Sequence, residues 1–506
     1  MRDRIQSWLL WILIVLHAAI AFPLAYYLNI WDDEASTLHT TQNGLKIAFQ
    51  GLFTDEKQAP LYFLVLSVWR SLDHSIFFAR AFSVICSLAA IAVFWHLAQK
   101  IWTGRTSLVV ATLFALHPYL LWASLEIRLY SLIILLTCLL LTFFIDGFLA
   151  SDLGADVQKD QRRGRIYYAI TAVAGIYTNY YLGFPLVGAF VALLLLRRWK
   201  QAGTYLFFMF GVGVAIVPLF YFLQMQFMER AAAYQEHRSV IEAIRIVWNH
   251  FLTFVLPTEI YTEDVATSIS VARLWIVRFA IVAAIVLLVK KRFRPVDSFV
   301  IAFAAIASVS VGFFFFVYAE LGSDYLQIRH ASIFFVSVFV VVCLLADRLL
   351  PKLLKAPVTA MVLLFYAYSA FALYPTLTKR GDWKNVSDFI SQQASPDRPA
   401  VVFPVYDTIA LSQYFKGPGS VLPTEKAFDF FIEAQAGTPA AYAHQIDFVI
   451  SSIPVNAREI WLLTSDKCAN ALTCQPLENY IESNYNVIED KGFYKERVRL
   501  LRKKAQ

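Results

Sequence analysis

The sequence predicts a polytopic α-helical membrane protein that ends in a small α/β domain. Three observations lead there. The 506 residues are 58% hydrophobic and only 16% charged, with a mean hydropathy of +0.56, too apolar for a chain that must dissolve in water. Several apolar stretches reach the roughly 18 to 20 residues a helix needs to cross a bilayer. Basic residues gather in short clusters between those stretches: Arg2/Arg4, Lys100/Arg105, Arg162/Arg163/Arg165, Arg197/Arg198/Lys200, Lys290/Lys291/Arg292/Arg294 and Lys352/Lys355. Loops held on the cytoplasmic side look like this. Topology therefore explains the net charge of +7, and no nucleic-acid partner is expected.

Taken in order, residues 8–28 form the first span, with Arg2 and Arg4 keeping the N-terminus in the cytoplasm. Ala19-Ile20-Ala21 resembles a signal-peptide cleavage site, but the apolar run continues to Leu28, longer than an h-region requires, so a retained helix is expected. Residues 29–76 are the first external loop. Within it, 60–73 is short and ends in Trp69, Arg70, Asp73 and His74, which suits a helix lying in the membrane interface. Residues 77–99 are long enough to cross. Spans at 106–122 and 129–149 bracket the external turn "ASLEIRLYS", and spans at 166–180 and 182–196 bracket "YTNYYLG". The span at 202–222 leads to an external loop over 223–269, whose "YQEHRSVIEAIRIVWNHFL" is amphipathic. Spans at 271–289, 297–317, 331–349 and 357–373 bring the total to about 11 transmembrane helices. An odd number puts the C-terminus outside.

The membrane domain is thus residues 1–373, and composition changes after Tyr374. "AVVFPVY", "EIWLLTS" and "KERVRLLR" read as strands and "DTIALSQYF" as a short helix. Residues 374–506, roughly 130 residues, are enough for a separate α/β domain with its own core. Its basic end does not oppose an external location, because whole domains translocate largely regardless of charge. Cys86, Cys138 and Cys343 fall in apolar runs and read as small core residues. Cys468 and Cys474, in "CANALTC", would be free to pair if that domain faces an oxidising compartment.

Polar residues that are unusual in so apolar a chain collect at the outer ends of the spans: Asp32, Asp33, Glu34, Asp55, Glu56, Lys57, Glu126, Arg128, Tyr130, Asn179, Tyr180, Arg329 and His330, with Arg80 among them if 60–73 does not cross. Singly, each has a plain explanation as a snorkelling anchor or an aromatic-belt residue. Together, acids and bases at one membrane face suggest an interfacial site for an anionic substrate. Carboxylates take protons from hydroxyls, and Arg or Lys holds phosphate oxygens and steadies a departing phosphate. A site between water and lipid suits a polar head on a long hydrocarbon tail, as in polyprenyl-phosphate sugars.

Several motifs recur in a set order. Asp33-Glu34 in the first external loop is followed by "QAPLYFLVL", by Arg80 in "ARAFSVI", by "EIRLYSL", by "YTNYYLGF" and by the distal "DWKNVSDFI". The ensemble resembles bacterial glycosyltransferase 39-like members of the GT-C superfamily, relatives of protein O-mannosyltransferases and of the lipid A aminoarabinose transferase. The resemblance covers residues 1 to about 390. It implies a GT-C fold and inverting transfer of a hexose or pentose from polyprenyl phosphate at the external face. In that pattern Asp33 matches the catalytic base and Glu34 its partner. Arg80 and Arg128 match residues near the donor phosphate, and Lys57, Arg329 and His330 are further candidates for it. Glu126, Tyr130, Asn179 and Tyr180 would line the substrate site. Where the family often has His or Lys before Pro-Pro-Leu, this chain has Gln58-Ala59-Pro60-Leu61, so a charged contact from position 58 is missing.

A transporter or flippase for a lipid-linked or anionic substrate would instead carry internal repeats and polar residues near the bilayer midplane. No repeat is visible by eye, and the charges cluster at one face. A sugar polymerase or ligase using a fully lipid-linked glycan shares the donor chemistry. Asp32, Asp33 and Glu34 offer oxygen ligands to Mg²⁺ or Ca²⁺, yet adjacent residues do not all face one ion and cations could neutralise the phosphate, so no obligatory metal is expected. The expected partners are a polyprenyl-phosphate-linked sugar donor, a lipid, glycan or protein acceptor, and membrane lipids, in a bacterial plasma (inner) membrane.

Overall fold

Among the described residues of the computed structural model, six helices are long and apolar enough to cross a membrane: Trp8–Tyr27, Ile76–Ile101, Tyr130–Leu149, Ser298–Phe316, Ser332–Leu349 and Lys352–Ala372. A seventh span exists if Arg105–Ala115 and Pro118–Ser124, bent by 49° at their junction, are counted as one. The protein is a multi-pass membrane protein. The structure describes residues 2–54, 56, 58–149, 155–224, 239–242, 244–245, 278, 297–321, 328–374, 377–379, 381–423, 430, 439–465, 468 and 471–505. The expected span at 271–289 and most of the loop over 223–269 lie outside those residues, as does Lys57.

The remaining expected spans meet helices of other dimensions. Numbered in chain order, the membrane unit contains α1 (Arg2–Tyr27), α4 (Leu61–Arg70), α5 (Ile76–Ile101), α6 (Arg105–Ala115), α7 (Pro118–Ser124), α8 (Tyr130–Phe144), α9 (Ala155–Thr178), α10 (Gly183–Leu195), α11 (Trp199–Ala215), α12 (Ser298–Leu321), α13 (Ser332–Leu349) and α14 (Lys352–Ala372). Helix α9 is long but carries the charged "KDQRRGR" in its first half, and α10 and α11 have 13 and 17 residues. Length and composition therefore leave the expected count of about 11 at six to seven among the described residues. Helix α4, with 10 residues, is too short to cross at ~1.5 Å per residue.

The expected span at 106–122 is broken, and the sequence "ALHPYLL" explains why. Pro118 brings no N–H and disfavours helix in the residue before it. Tyr119 N donates to the His117 ring, 3.1 Å away, at the start of α7. At the end of α6 the Ala115 carbonyl lies 2.8 Å from Nδ1 of His17 on α1, which supplies a partner where the helix no longer does. Ser87 Oγ lies 3.2 Å from the other nitrogen of that ring.

Helices α10 and α12 approach closely because Gly188 has no side chain. A Cβ there would lie 2.6 Å from the Ile306 Cα, so the backbone itself would have to move. Gly188→Val should destabilise the protein by about 1–3 kcal/mol, read as earlier thermal unfolding in detergent. Gly203→Ala, where a Cβ meets nothing within 4 Å, should leave the transition in place or raise it.

Residues 27–56 and 375–506 form the second compact unit. Its helices are α2 (Asp32–Thr41), α3 (Leu45–Thr54), α15 (Trp383–Gln392), α16 (Thr408–Ser412), α17 (Pro439–Ser452) and α18 (Ala471–Asn484). Its strands are β1 (Ala400–Phe403), β2 (Val421–Leu422), β3 (Glu459–Ser465), β4 (Tyr485–Phe493) and β5 (Glu496–Lys503), in the order β2-β1-β3-β5-β4. β1 runs parallel to β2 and β3, while β5 is antiparallel to β3 and β4. Continuous apolar runs such as "AVVF" and "IWLL" mark the inner strands because both sheet faces are covered. Ile460 and Leu462 face the core shared with Val449, Leu477 and Ile481 of α17 and α18. Trp461 points the other way, its ring 5.6 Å from that of Phe389 on α15. Cys468 and Cys474 are bonded, closing the start of α18.

Candidate functional site

The three crowded carboxylates begin a helix. Asp32, Asp33 and Glu34 form the first turn of α2, where unpaired backbone N–H groups and the helix dipole favour negative charge. Helix geometry thus offsets part of the repulsion among neighbours. Thr37 donates from Oγ1 to the Asp33 carbonyl at 3.0 Å, and Thr41 to the Thr37 carbonyl at 2.7 Å. Helix α2 packs against α16 of the α/β domain, which leaves Asp33 9% exposed.

Glu34 faces inward. Its Oε1 lies 2.8 Å from Nζ of Lys379, and the two side chains are 0% and 3% exposed. A buried charge is strongly disfavoured unless paired, so each side chain makes the other's burial tolerable. Asn29, just before α2, ties the same two segments through the backbone. Its Oδ1 accepts from Lys379 N at 2.7 Å, and its Nδ2 donates to the Gly381 carbonyl. Glu56 joins the cluster as well, accepting from Ser36 Oγ at 3.0 Å and from Thr37 Oγ1 at 3.3 Å. Sequence reasoning noted Glu56 only as one polar residue among several and missed Lys379 altogether. Nothing local marks either, since their partners lie elsewhere in the chain.

The basic candidates belong to the membrane unit and divide into two groups. Arg80, on the first turns of α5, is fully buried and donates from Nη1 to the Ala25 carbonyl of α1 at 2.9 Å. Three residues on, Ser83 Oγ donates to the Glu126 carbonyl at 2.6 Å. That bond fastens the turn carrying Glu126 and Arg128 to the same stretch of α5. Arg128 is buried, with its guanidinium carbon 6.0 Å from the centre of the Phe63 ring on α4, a cation–π distance. Tyr130 stacks on Trp122 with centroids 5.1 Å apart.

Arg329 and His330 sit in a short 3₁₀ turn, Ile328–Ala331, and both are half-buried. Tyr119 Oη contacts the Arg329 carbonyl at 3.5 Å, so α7 carries Tyr119 to this group and Trp122 to the first. The His330 ring lies edge-on to Tyr181 at 6.1 Å. Asn179 caps the turn Tyr180–Leu182, its Oδ1 accepting from Tyr181 N at 2.9 Å. The structure therefore gathers Arg80, Glu126, Arg128 and Tyr130 along α5, α7 and α8, and Asn179, Tyr180, Arg329 and His330 around Tyr181. Asp33 and Glu34 lie in the other unit.

The Asn29 amide is the simplest test of how α2 is held. Asn29→Ala would leave a buried N–H at Lys379 and the Gly381 carbonyl without this partner, at a cost of about 1–3 kcal/mol per unmet group. Faster amide hydrogen exchange in α2 and residues 377–383, with exchange in β1 and β3 unchanged, is the expected result.

No family model matches the sequence, and no curated protein matches it. Solved structures do. ArnT from Cupriavidus metallidurans bound to undecaprenyl phosphate superposes with a TM-score of 0.56 at 15% identity, covering 97% of each chain. The apo state of the same protein gives 0.55 at 16% identity, again over 97% of each chain. The chain has a GT-C fold over essentially its whole length, the α/β domain included.

Proposed function

We propose that the protein is an inverting glycosyltransferase that moves a sugar from a polyprenyl-phosphate donor to a hydroxyl of a lipid, glycan or protein acceptor. One observation carries this reading: the superposition over 97% of both chains on a protein solved with undecaprenyl phosphate. The ordered motifs, whose resemblance was to glycosyltransferases of the same superfamily, support it independently. The proposed location is the bacterial plasma membrane, with the N-terminus in the cytoplasm and residues 374–506 outside.

In the proposed reaction Asp33 accepts the acceptor hydroxyl's proton as its oxygen attacks the anomeric carbon. The bond from that carbon to the phosphate oxygen breaks on the opposite side, which inverts the configuration. Polyprenyl phosphate leaves with the electron pair, its negative charge met by Arg80 and Arg128, with Lys57, Arg329 and His330 as further cations. Buried guanidinium groups suit this role because charge interactions strengthen away from water. Glu34 orients rather than abstracts, being fully buried and engaged with Lys379. Glu126, Tyr130, Asn179 and Tyr180 line the site. With cations taking the phosphate charge, the reaction needs no obligatory metal. A flippase reading has no observation of its own here.

Asp33→Asn keeps the size and shape of the side chain but cannot take up the proton. Turnover should fall by about a hundred- to ten-thousand-fold while donor binding survives. Transfer of labelled sugar from polyprenyl phosphate by the purified variant measures the first, and isothermal titration with polyprenyl phosphate the second. Wild-type turnover in Asp33→Asn would remove it as the base. For the topology, an alkaline phosphatase fused after Gln506 should be active, and a fusion active only as a cytoplasmic reporter would overturn the external placement.

A further inference from the structure

We propose that Lys379 is a positioning residue for this reaction: it acts through Glu34 to hold the turn of α2 that carries Asp33. The inference rests on the glycosyltransferase reading and on Asp33 as its base.

The geometry describes a rigid path from the sheet to the acid. Gly381 has φ of +146°, and a Cβ there would meet Glu496 Oε1 at 2.7 Å and Trp383 Nε1 at 3.2 Å. Residue 381 is therefore seated directly against the first residue of β5 and the first of α15. Lys379 and Gly381 pair as an isolated bridge, with Gly381 N donating to the Lys379 carbonyl at 2.9 Å. Asn29 clasps both from the α2 side. From this anchored turn the Lys379 ammonium reaches Glu34 at 2.8 Å, the residue after Asp33. A buried carboxylate that loses a cation 2.8 Å away is driven to turn toward water. That movement disturbs the first turn of α2, and a displacement of about 1 Å at a reacting group lowers rate roughly a hundredfold.

The C-terminal domain is thus part of the catalytic apparatus, since it supplies the lysine and the sheet that fixes it. The role differs from phosphate binding, which would raise the donor KM, and from a purely stabilising contact, which would lower thermal stability and leave the kcat of the folded protein unchanged.

The test is a double-mutant cycle on the full-length protein, reading kcat and donor KM with a polyprenyl-phosphate sugar that the wild type uses. Lys379→Met should lower kcat about a hundredfold with KM within about threefold of wild type. Lys379→Arg, which restores a cation, should recover most of the loss. Glu34→Gln and Glu34→Gln/Lys379→Met should have the same kcat, because the Glu34 charge through which Lys379 acts is then gone. This last comparison decides the matter even if Lys379→Met does not fold. A double variant about tenfold or more slower than Glu34→Gln would overturn the inference, as would Lys379→Met with wild-type kcat or a change confined to KM. If the wild type transfers no sugar from any polyprenyl-phosphate donor, the function fails and this inference with it, an outcome distinct from the others.

Discussion

Glu34 and Lys379 come from opposite ends of the chain and meet 2.8 Å apart with almost no exposure to water. The arrangement of the second unit follows from that contact. Burying a carboxylate at this depth is strongly disfavoured without a cation beside it, so α2 depends on the segment that follows the last membrane helix. Asn29 repeats the connection through the backbone, and α16 covers the adjoining face of α2. Residues 27–56 accordingly cluster with 375–506, although some 320 residues of membrane domain separate them in sequence. The α/β domain is a support for the acidic helix, beyond being an appendage.

The membrane unit solves the same electrostatic problem differently. Arg80 is buried and donates to a backbone carbonyl of α1, which offsets part of the cost of burying its charge. Arg128 lies over an aromatic face, a favourable place for a cation. The broken helix also shapes this unit. By stopping at Leu116 and restarting at Pro118, the chain sets α7 at 49° to α6 and brings Trp122 beneath Tyr130 and Tyr119 beside Arg329.

How much of this was legible depends on the range of each interaction. Membrane-length helices could be read from composition alone, because a bilayer filters residues by polarity. β1 and β3 could be read because these inner strands are apolar on both faces, and β5 because Val498, Leu500 and Leu501 are apolar among its charges. β4 could not: Tyr485–Phe493 is an edge strand, mostly exposed and rich in Asn, Glu, Asp and Lys, so its pairing with β5 leaves no apolar alternation. The acids at 32–34 were visible, but their place in the first turn of a helix was not, since the preceding apolar run hid the helix start. The break at Pro118 was hidden by hydrophobicity that continues across it. Lys379 was out of reach for a deeper reason. A lone lysine between Thr378 and Arg380 looks like any solvated charge, and only a partner hundreds of residues away makes it buried.

Chain order adds a constraint on when the site can exist. Helix α2 is synthesised long before residue 379, so its three carboxylates must first persist without their lysine. Until the C-terminal domain forms, Glu34 lacks the Lys379 ammonium that sits 2.8 Å from it in the completed fold. The helix dipole, a stabilisation of about 0.3–1 kcal/mol per residue, does not by itself fix α2 in one position. The inward-facing Glu34 seen here therefore belongs to the completed fold, and α2 takes its final form only once the last quarter of the chain has folded against it.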